Sequence, residues 1–547
     1  MAGDVSAKEL AGLDVTTDPV VLLNVIERLV AAVQALQEDL GRARDEINRL
    51  KGEQGRPGGG KKKRQRVDQS SERERREQPK DWHKSAKLPE IVIDRHEACA
   101  LDPADLPADA RLKDHVEVTV QDLVLRTDNV RFHCERWYAP STGTTYQAPL
   151  PPGYEGEFGP GLKALALTLG YSANVGQAQI RRLFGSVGVL VSAGYLAGLL
   201  VNTEGFAPEV QAIGVAGLAC DGYAHIDVTP TRVAGVEHEC HVLGNTTFVY
   251  YHTDLFRDRQ AALRTLQLGA PSTFQVNAPA WIFLSLGAPL AASTRAVLET
   301  VPAARRFTQA EWCSWLDTSL PWLGPQQRQR LSDAAAVGAY HAQTAVPIVE
   351  TLVCDAAPTF KGLTEDLALC WVHEGRHYKK LTPALPAHRA VLDTFLTDFW
   401  IYYRRLRAYQ AAPTIERAAE LATAFDTLFR RQTGYADLDA RIAKTNAKRP
   451  ALLRVLEKPF LPLHNNPAEL AARRRVRKRD VSFGARSTAG IRAWDVFHTL
   501  IGTAYLLGVN VLHYFQDRFA RAGRLPALAD LIHQRADQTA AVLPAAA

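Results

Sequence analysis

The chain has 547 residues, 46% of them apolar and 23% charged, with a formal net charge of +6. At about 100–200 residues per domain there is room for three or more folded units with real cores, which excludes disorder throughout. Its 37 Gly follow no period and its 7 Cys are sparse, excluding collagen-like, mucin-like and disulfide-scaffold classes. Cys99, Cys134, Cys220, Cys240, Cys313, Cys354 and Cys370 are scattered with no C-x-x-C pair, a usage suited to a reducing cytoplasm. The opening MAGDVSAKEL lacks a basic stretch leading into an apolar core, so no secretory leader is expected.

Residues 17–51 carry a heptad. Ile26, Val33, Leu40 and Ile47 hold one apolar position; Leu22, Leu29, Leu36, Ala43 and Leu50 hold the other. β-Branched residues mostly at a and Leu mostly at d favour a two-stranded parallel coiled coil, so a homo-oligomer, most simply a dimer, is expected. A single helix docked on the body is the alternative. Residues 52–87 are rich in Gly, Lys, Arg and Glu and include Lys61, Lys62, Lys63 and Arg64. Such a stretch cannot form a core; it reads as a basic, flexible tether, either a solubilising linker or an arm that holds DNA phosphates without sequence preference, two roles that are compatible.

Residues 88–150 read as a small β module with strands at 91–93, 116–120 and 130–134. In the segment 151–206, the run 183–203 has no charged residue and nearly reaches the length of a membrane span. Its glycines and Ser192 favour two helices instead, 175–184 and 192–201, with Ser192 as the second N-cap: a helix-turn-helix, with no membrane partner expected. From 215 to 515 the pattern is α/β, with a strand at 225–228, a strand at 241–251, a helix at 257–268 and a strand at 351–354. A mostly helical stretch with Trp312, Trp315 and Trp322, about 278–343, looks inserted; the tryptophans read as core. Amphipathic runs at 387–408 and 414–431 follow, and 516–547 is a C-terminal tail.

Three acids stand out by context. Asp227 ends the expected strand 225–228, with Asp221 a competitor that lies before it. Asp355 follows the expected strand 351–354. Glu469 falls at N3 of a helix whose N-cap is Asn466 and whose N1 is Pro467. Singly, each has a structural role open to it, as a strand-end turn former or a helix-dipole carboxylate. Together, carboxylates at strand ends and a helix start can converge at one sheet edge, where hard oxygen ligands suit Mg2+ or Mn2+. Two such ions can activate an attacking oxygen and stabilise the leaving oxygen of a phosphodiester. Beside Glu469 crowd Arg473, Arg474, Arg475, Arg477, Lys478 and Arg479, in a run nearly devoid of acids, which is expected to clamp DNA phosphates.

The stretch Leu463-His464-Asn465-Asn466-Pro467-Ala468-Glu469-Leu470, continuing through Arg475-Val476-Arg477-Lys478-Arg479-Asp480-Val481-Ser482-Phe483-Gly484, resembles the signature of the insertion sequence 66 family of bacterial transposases. Asp227-Val228-Thr229 looks like that family's first acid with its Thr. Asp355 and the later Cys370-x-x-His373-x-x-Arg376 look like its second acid and the segment beyond. The resemblance implies an α/β fold with an RNase H-like catalytic core and helical insertion, preceded by coiled coil, small β module and helix-turn-helix. It implies an Asp-Asp-Glu triad of Asp227, Asp355 and Glu469 that binds Mg2+ or Mn2+. The activity implied is cleavage at terminal inverted repeats and strand transfer into target DNA, in a bacterial cytoplasm at the nucleoid. His464 stands where the family has an acid, and Leu470 where it has Arg.

Where the family's small module has two C-x-x-C pairs for zinc, only Cys99 and Cys134 remain here, with Asp102 and Trp137 at the partner positions. A tetrahedral site needs four good ligands, so structural zinc is not expected, with His96, His115 and His133 as the only substitutes. His238-Glu239-Cys240-His241 alternates along an expected strand and reads as structural. Three alternatives remain open: a transposase-derived DNA-binding protein without catalysis, an RNase H-like nuclease, and a coiled-coil scaffold.

Overall fold

A computed structural model describes residues 17–50, 91–102, 106–107 and 110–542. The basic tether 52–87, with Lys61, Lys62, Lys63 and Arg64, lies outside them.

The chain opens with α1 (Pro19–Leu50), a single long helix. Its first turns dock on the body: Val25 and Glu27 are buried, and the Glu27 carboxylate accepts from the backbone N–H groups of Ala384 and Leu385 and faces His388 at 3.1 Å. Farther along, Val33, Leu36 and Leu40 of the heptad are exposed and uncovered by the rest of the chain. Its part Pro19–Leu40 is also long and apolar enough to cross a membrane, by length and composition only.

The small β module differs from expectation. The described residues of 91–135 form no strand; the module's pairing is β1 (Arg136–Ala139) antiparallel to β2 (Thr144–Gln147). Val116, Val118 and Val120 do alternate as a strand should, yet all three are about four-fifths exposed. Alternation produces a strand only when one face has something to cover it. The helical pair, in contrast, forms as expected. After α2 (Pro160–Leu167) come α3 (Gln177–Ser186) and α4 (Ala193–Val201), and the Ser192 hydroxyl accepts from Tyr195 N–H as N-cap. The turn between them breaks the uncharged run 183–203. A fourth helix of this region, α5 (Ala207–Cys220), leads into the sheet.

The sheet is mixed and five-stranded. It begins with β3 (Tyr223–Val233), β4 (Val236–Gly244) and β5 (Val249–Asp254), all antiparallel neighbours. Two corrections follow. The strand expected at 225–228 runs on to Val233, and the one expected at 241–251 is two strands. Ala234 and Gly235 both have positive φ (49° and 85°), the geometry of a two-residue primed turn, and this closes the β3–β4 hairpin. Between β4 and β5, the Asn245 side-chain oxygen accepts from Thr247 N–H, the Thr247 hydroxyl and Phe248 N–H, shaping a tight buried turn.

After β5 comes α6 (Arg259–Leu266), N-capped by Asp258. The block 273–342 holds β6 (Thr273–Gln275), α7 (Ala278–Ser285), α8 (Ala292–Glu299), β7 (Arg306–Thr308), α9 (Gln309–Ser319) and α10 (Pro325–Ala342). It shares the main core: Trp312 is fully buried and stacks on Phe274 with centroids 5.6 Å apart, whereas Trp322 stays exposed. The strands β8 (Thr351–Cys354) and β9 (Asp366–Leu369) then join β3 in parallel, giving the order β5-β4-β3-β8-β9.

A second helical block follows β9 that sequence reading left unassigned as an insertion: α11 (Trp371–Lys379), α12 (Pro386–Ala411), α13 (Ile415–Phe429), α14 (Ala436–Asn446) and two single turns, α15 (Arg449–Leu452) and α16 (Arg454–Glu457). Its core is aromatic, with Trp371, Tyr378, Phe395, Phe399, Phe425 and Phe429 buried against one another. The chain then returns to the sheet in α17 (Asn466–Ser482) and ends with α18 (Thr488–Leu506), α19 (Val511–Ala520) and α20 (Leu528–Val542).

Candidate functional site

Register places the acids. The parallel β3–β8 pairs are Tyr223 with Thr351, Ala224 with Leu352 and His225 with Val353. Continued two residues, the same register sets Asp227 level with Asp355, on strands about 4.8 Å apart. Asp227 is therefore not at the end of its strand. It lies mid-β3, at the level where β8 stops and leaves the β3 edge open. Pro230 is tolerated just beyond because no β8 partner there needs its missing N–H.

The face follows from the antiparallel side. Asp227 pairs with Val242, and Thr229 with Cys240. Cys240 and Val242 pack with Val249, Tyr251, Ala471 and Ala472, so α17 covers the face on which Asp227 stands. Ile226 and Leu243, one residue over, point to the opposite face and the main core.

Glu469 is brought over that face by a side chain that sequence reading assigned otherwise. The helix N-cap is Asn465, not Asn466, and its side chain makes no capping bond. Instead Asn465, fully buried, donates from Nδ2 to Ile226 O (2.8 Å), meets His225 Nδ1 with Oδ1 (3.0 Å), and donates from its backbone N–H to Cys370 Sγ (3.2 Å). It ties the start of α17 to β3 next to Asp227 and to the start of α11. Glu469 N–H then makes the first intrahelical bond, to Asn465 O.

Asp227 is influenced by the other two acids. Burial pushes the Asp227 carboxyl up to about 6, opposed by Val228 N–H, with the charges of Glu469 and Asp355 pushing the same way as burial and Arg257 opposing. Asp227 Oδ1 accepts from Val228 N–H (2.9 Å), and Asp355 Oδ1 from Ala357 N–H (3.0 Å). Glu469 Oε2 is held by Arg376 Nη2 at 2.9 Å, while Glu469 Oε1 is buried with no hydrogen-bond partner and faces His373 Nδ1 at 3.5 Å. His373 and Arg376 stand on α11, one turn apart. Burial pushes the His373 imidazole below its usual value; the Glu469 and Asp355 charges pull it back up. Carboxylates are hard-cation donors, and one oxygen here, Glu469 Oε1, is a buried orphan, yet the oxygens of Asp227, Asp355 and Glu469 do not all lie within 4.8 Å of one another.

The basic run divides by helical geometry. Arg473 and Arg477 are exposed. Arg475 is fully buried, paired with Asp495 and set between the rings of Tyr251 and Trp494, each 5.4 Å away. Lys478 is buried too, donates to Gly170 O, and is pushed down to about 8 by burial. Arg474 lies over the Tyr505 ring, and Arg479 donates to Pro230 O. The expectation that Arg475 and Lys478 clamp phosphates is therefore corrected. Three- and four-residue spacing turns them toward the sheet and α18, where they hold the helix instead.

The fold is mixed α/β, with Asp227 on β3, Asp355 just past β8 and Glu469 on the helix that covers that face of the sheet. Residues 337–493 match the family described as "Transposase IS66 family". That span includes Asp355, the Cys370–Arg376 segment and the whole of α17, but not Asp227. Over those residues the chain is similar to IS66 family transposases. It is also 36% identical over 186 residues to "Uncharacterized protein y4jO" of Sinorhizobium fredii, covering 34% of this chain and 57% of that relative.

Proposed function

We propose that the chain is a DNA transposase with an RNase H-like catalytic core, acting on the terminal inverted repeats of an insertion sequence. The strand order, with three antiparallel strands followed by two parallel ones, supports that core. The observation that supports the reading is that Asp227 and Asp355 fall at one level of neighbouring strands, on the face covered by the helix that bears Glu469 and, on its outward side, Arg473 and Arg477.

Asp227, Asp355 and Glu469 would hold Mg2+ or Mn2+, which when bound lowers the cost of charge on the attacking and leaving oxygens of a phosphodiester. Arg376 keeps the Glu469 carboxylate aimed into the site, and Asn465 fixes the helix that bears it. The arginines Arg473 and Arg477 would fix the DNA backbone by phosphate contacts, which position the duplex without reading sequence. From the helical pair, the exposed cations are Arg181 and Arg182 on α3. The exposed residues of α4 itself, Ala193, Gly194, Gly198 and Val201, carry no side-chain hydrogen-bonding group. The exposed heptad positions of α1 support a dimer through that helix.

Purified protein incubated with repeat-end duplexes and Mg2+ tests this. Alanine at Asp227, Asp355 or Glu469 should abolish cleavage and leave repeat binding intact; cleavage retained in all three variants refutes the triad. A strand-transfer assay separates a transposase from a nuclease of the same fold.

A further inference from the structure

Cys370, His373 and Glu469 each offer a ligand atom, and these atoms lie within 4.8 Å of one another, the one such group among the described residues. Their chemistry differs from that of the three acids: a sulfur, an imidazole nitrogen and a carboxylate oxygen form a borderline-soft set that favours Zn2+ over Mg2+. Cys370 is the N-cap of α11 and His373 lies one turn on, so both face the same end of that helix. The sulfur receives the backbone N–H of Asn465 at 3.2 Å, and the N–H groups of Val372 and His373 also point at it. Those amides oppose, without overcoming, the burial that pushes the Cys370 thiol up to about 12, so the metal itself must drive off the proton. The atoms His373 Nδ1 and Glu469 Oε1 are both buried without a hydrogen-bond partner.

We infer that Cys370, His373 and Glu469 form a second metal site, for a thiophilic divalent cation such as Zn2+, which shares Glu469 with the three-acid site and withdraws it from that site when filled. Bonds of about 2.0–2.3 Å to a tetrahedral ion place ligand atoms about 3.3–3.8 Å apart. The present spacing closes to this by side-chain rotation of His373 and Glu469. Arg376, about one-quarter exposed, releases Glu469 Oε2 into the ion and swings to solvent. Binding expels the Cys370 thiol proton to water. Water or substrate oxygen completes the coordination. The predicted inhibition rests on the proposed catalytic role of Glu469; the binding does not.

The test is a titration of the chelator-stripped full chain with Co2+, a spectroscopic stand-in for Zn2+. A thiolate-to-cobalt absorption band saturating near one equivalent, displaced by Zn2+ and lost in Cys370→Ser, is the expected result. Serine keeps an acceptor for Asn465 N–H, and His373→Gln, which leaves the thiol in place, should weaken Co2+ binding at least about tenfold. No band, or a band equal in wild type and Cys370→Ser, overturns the site. In the cleavage assay, Zn2+ added over Mg2+ should inhibit wild type at a concentration at least about tenfold lower than it inhibits Cys370→Ser. Equal sensitivity overturns the shared-ligand claim. A chain with the cobalt band but no Mg2+-dependent cleavage refutes the catalytic reading and leaves the metal site standing.

Discussion

Arg475→Met separates a structural cation from a DNA-binding one. Arg475 is wholly buried; one nitrogen meets Asp495, and its Nε and Nη1 have no hydrogen-bond partner, facing instead the Tyr251 and Trp494 rings. Removing one partner of a buried pair costs about 3–5 kcal/mol, because the remaining charge is left uncompensated. Here Asp495 keeps two hydrogen bonds, from Thr253 N–H at 2.9 Å and from the Thr253 hydroxyl at 2.8 Å, and methionine refills most of the volume. The low end, about 3 kcal/mol, is therefore expected, which lowers Tm by about 6–12 °C at ~2–4 °C per kcal/mol for a large domain. Thermal melting followed by fluorescence measures this. The salt dependence of DNA binding supplies the contrast: losing a phosphate contact lowers the log–log slope by about 1, and Arg475→Met should leave it unchanged. Exposed Arg473→Met and Arg477→Met should do the reverse, lowering the slope and shifting stability by less than about 0.5 kcal/mol. An Arg475→Met protein that melts like wild type and binds DNA with a reduced slope refutes the assignment.

Other outcomes follow from the same contacts. Asp227 has a folded-state pKa raised from 3.8 to about 6, so the folded state binds this proton more tightly than the unfolded chain, and the group's contribution to stability falls as pH rises from about 4 to 6. Asp227→Asn should accordingly raise the metal-free Tm at pH 7.5, by up to about 3 kcal/mol of stability, with the gain gone at pH 4; a gain independent of pH contradicts the burial argument. Gly217→Ala would set a Cβ 2.2 Å from the Phe248 ring, and chemical denaturation should register a loss of at least about 1–3 kcal/mol. Glu27→Ala strips the acceptor from Ala384 and Leu385 N–H at the start of α12, so amide exchange at those two residues should accelerate while the sheet stays protected.

The sequence made local features legible where a residue type answers a local need. Ser192 caps the helix expected after it, and the apolar run 351–354 is a strand over just those residues. What the sequence hid were long-range ties. That Asn465 spends its side chain on β3 and its N–H on Cys370, instead of capping its own helix, depends on partners 239 and 95 positions away. The outward or inward direction of Arg475 depends on the Tyr251 and Trp494 that flank it, and no property of the basic run announces either. The valines at 116, 118 and 120 err in the opposite sense: a correct pattern with no covering face. Of the helices after β9, only α12 and α13 were legible, as the runs 387–408 and 414–431, and that the block intervenes between β9 and the helix bearing Glu469 emerges only once the strands are paired.

The most direct measurement is anomalous scattering from Mn2+ in crystals of the full chain with a repeat-end duplex. Peaks at direct coordination distance from carboxylate oxygens of Asp227, Asp355 and Glu469, next to the duplex backbone, are the predicted result. Manganese held elsewhere, with DNA remote from α17 and the level of β3 where β8 stops, would contradict the account.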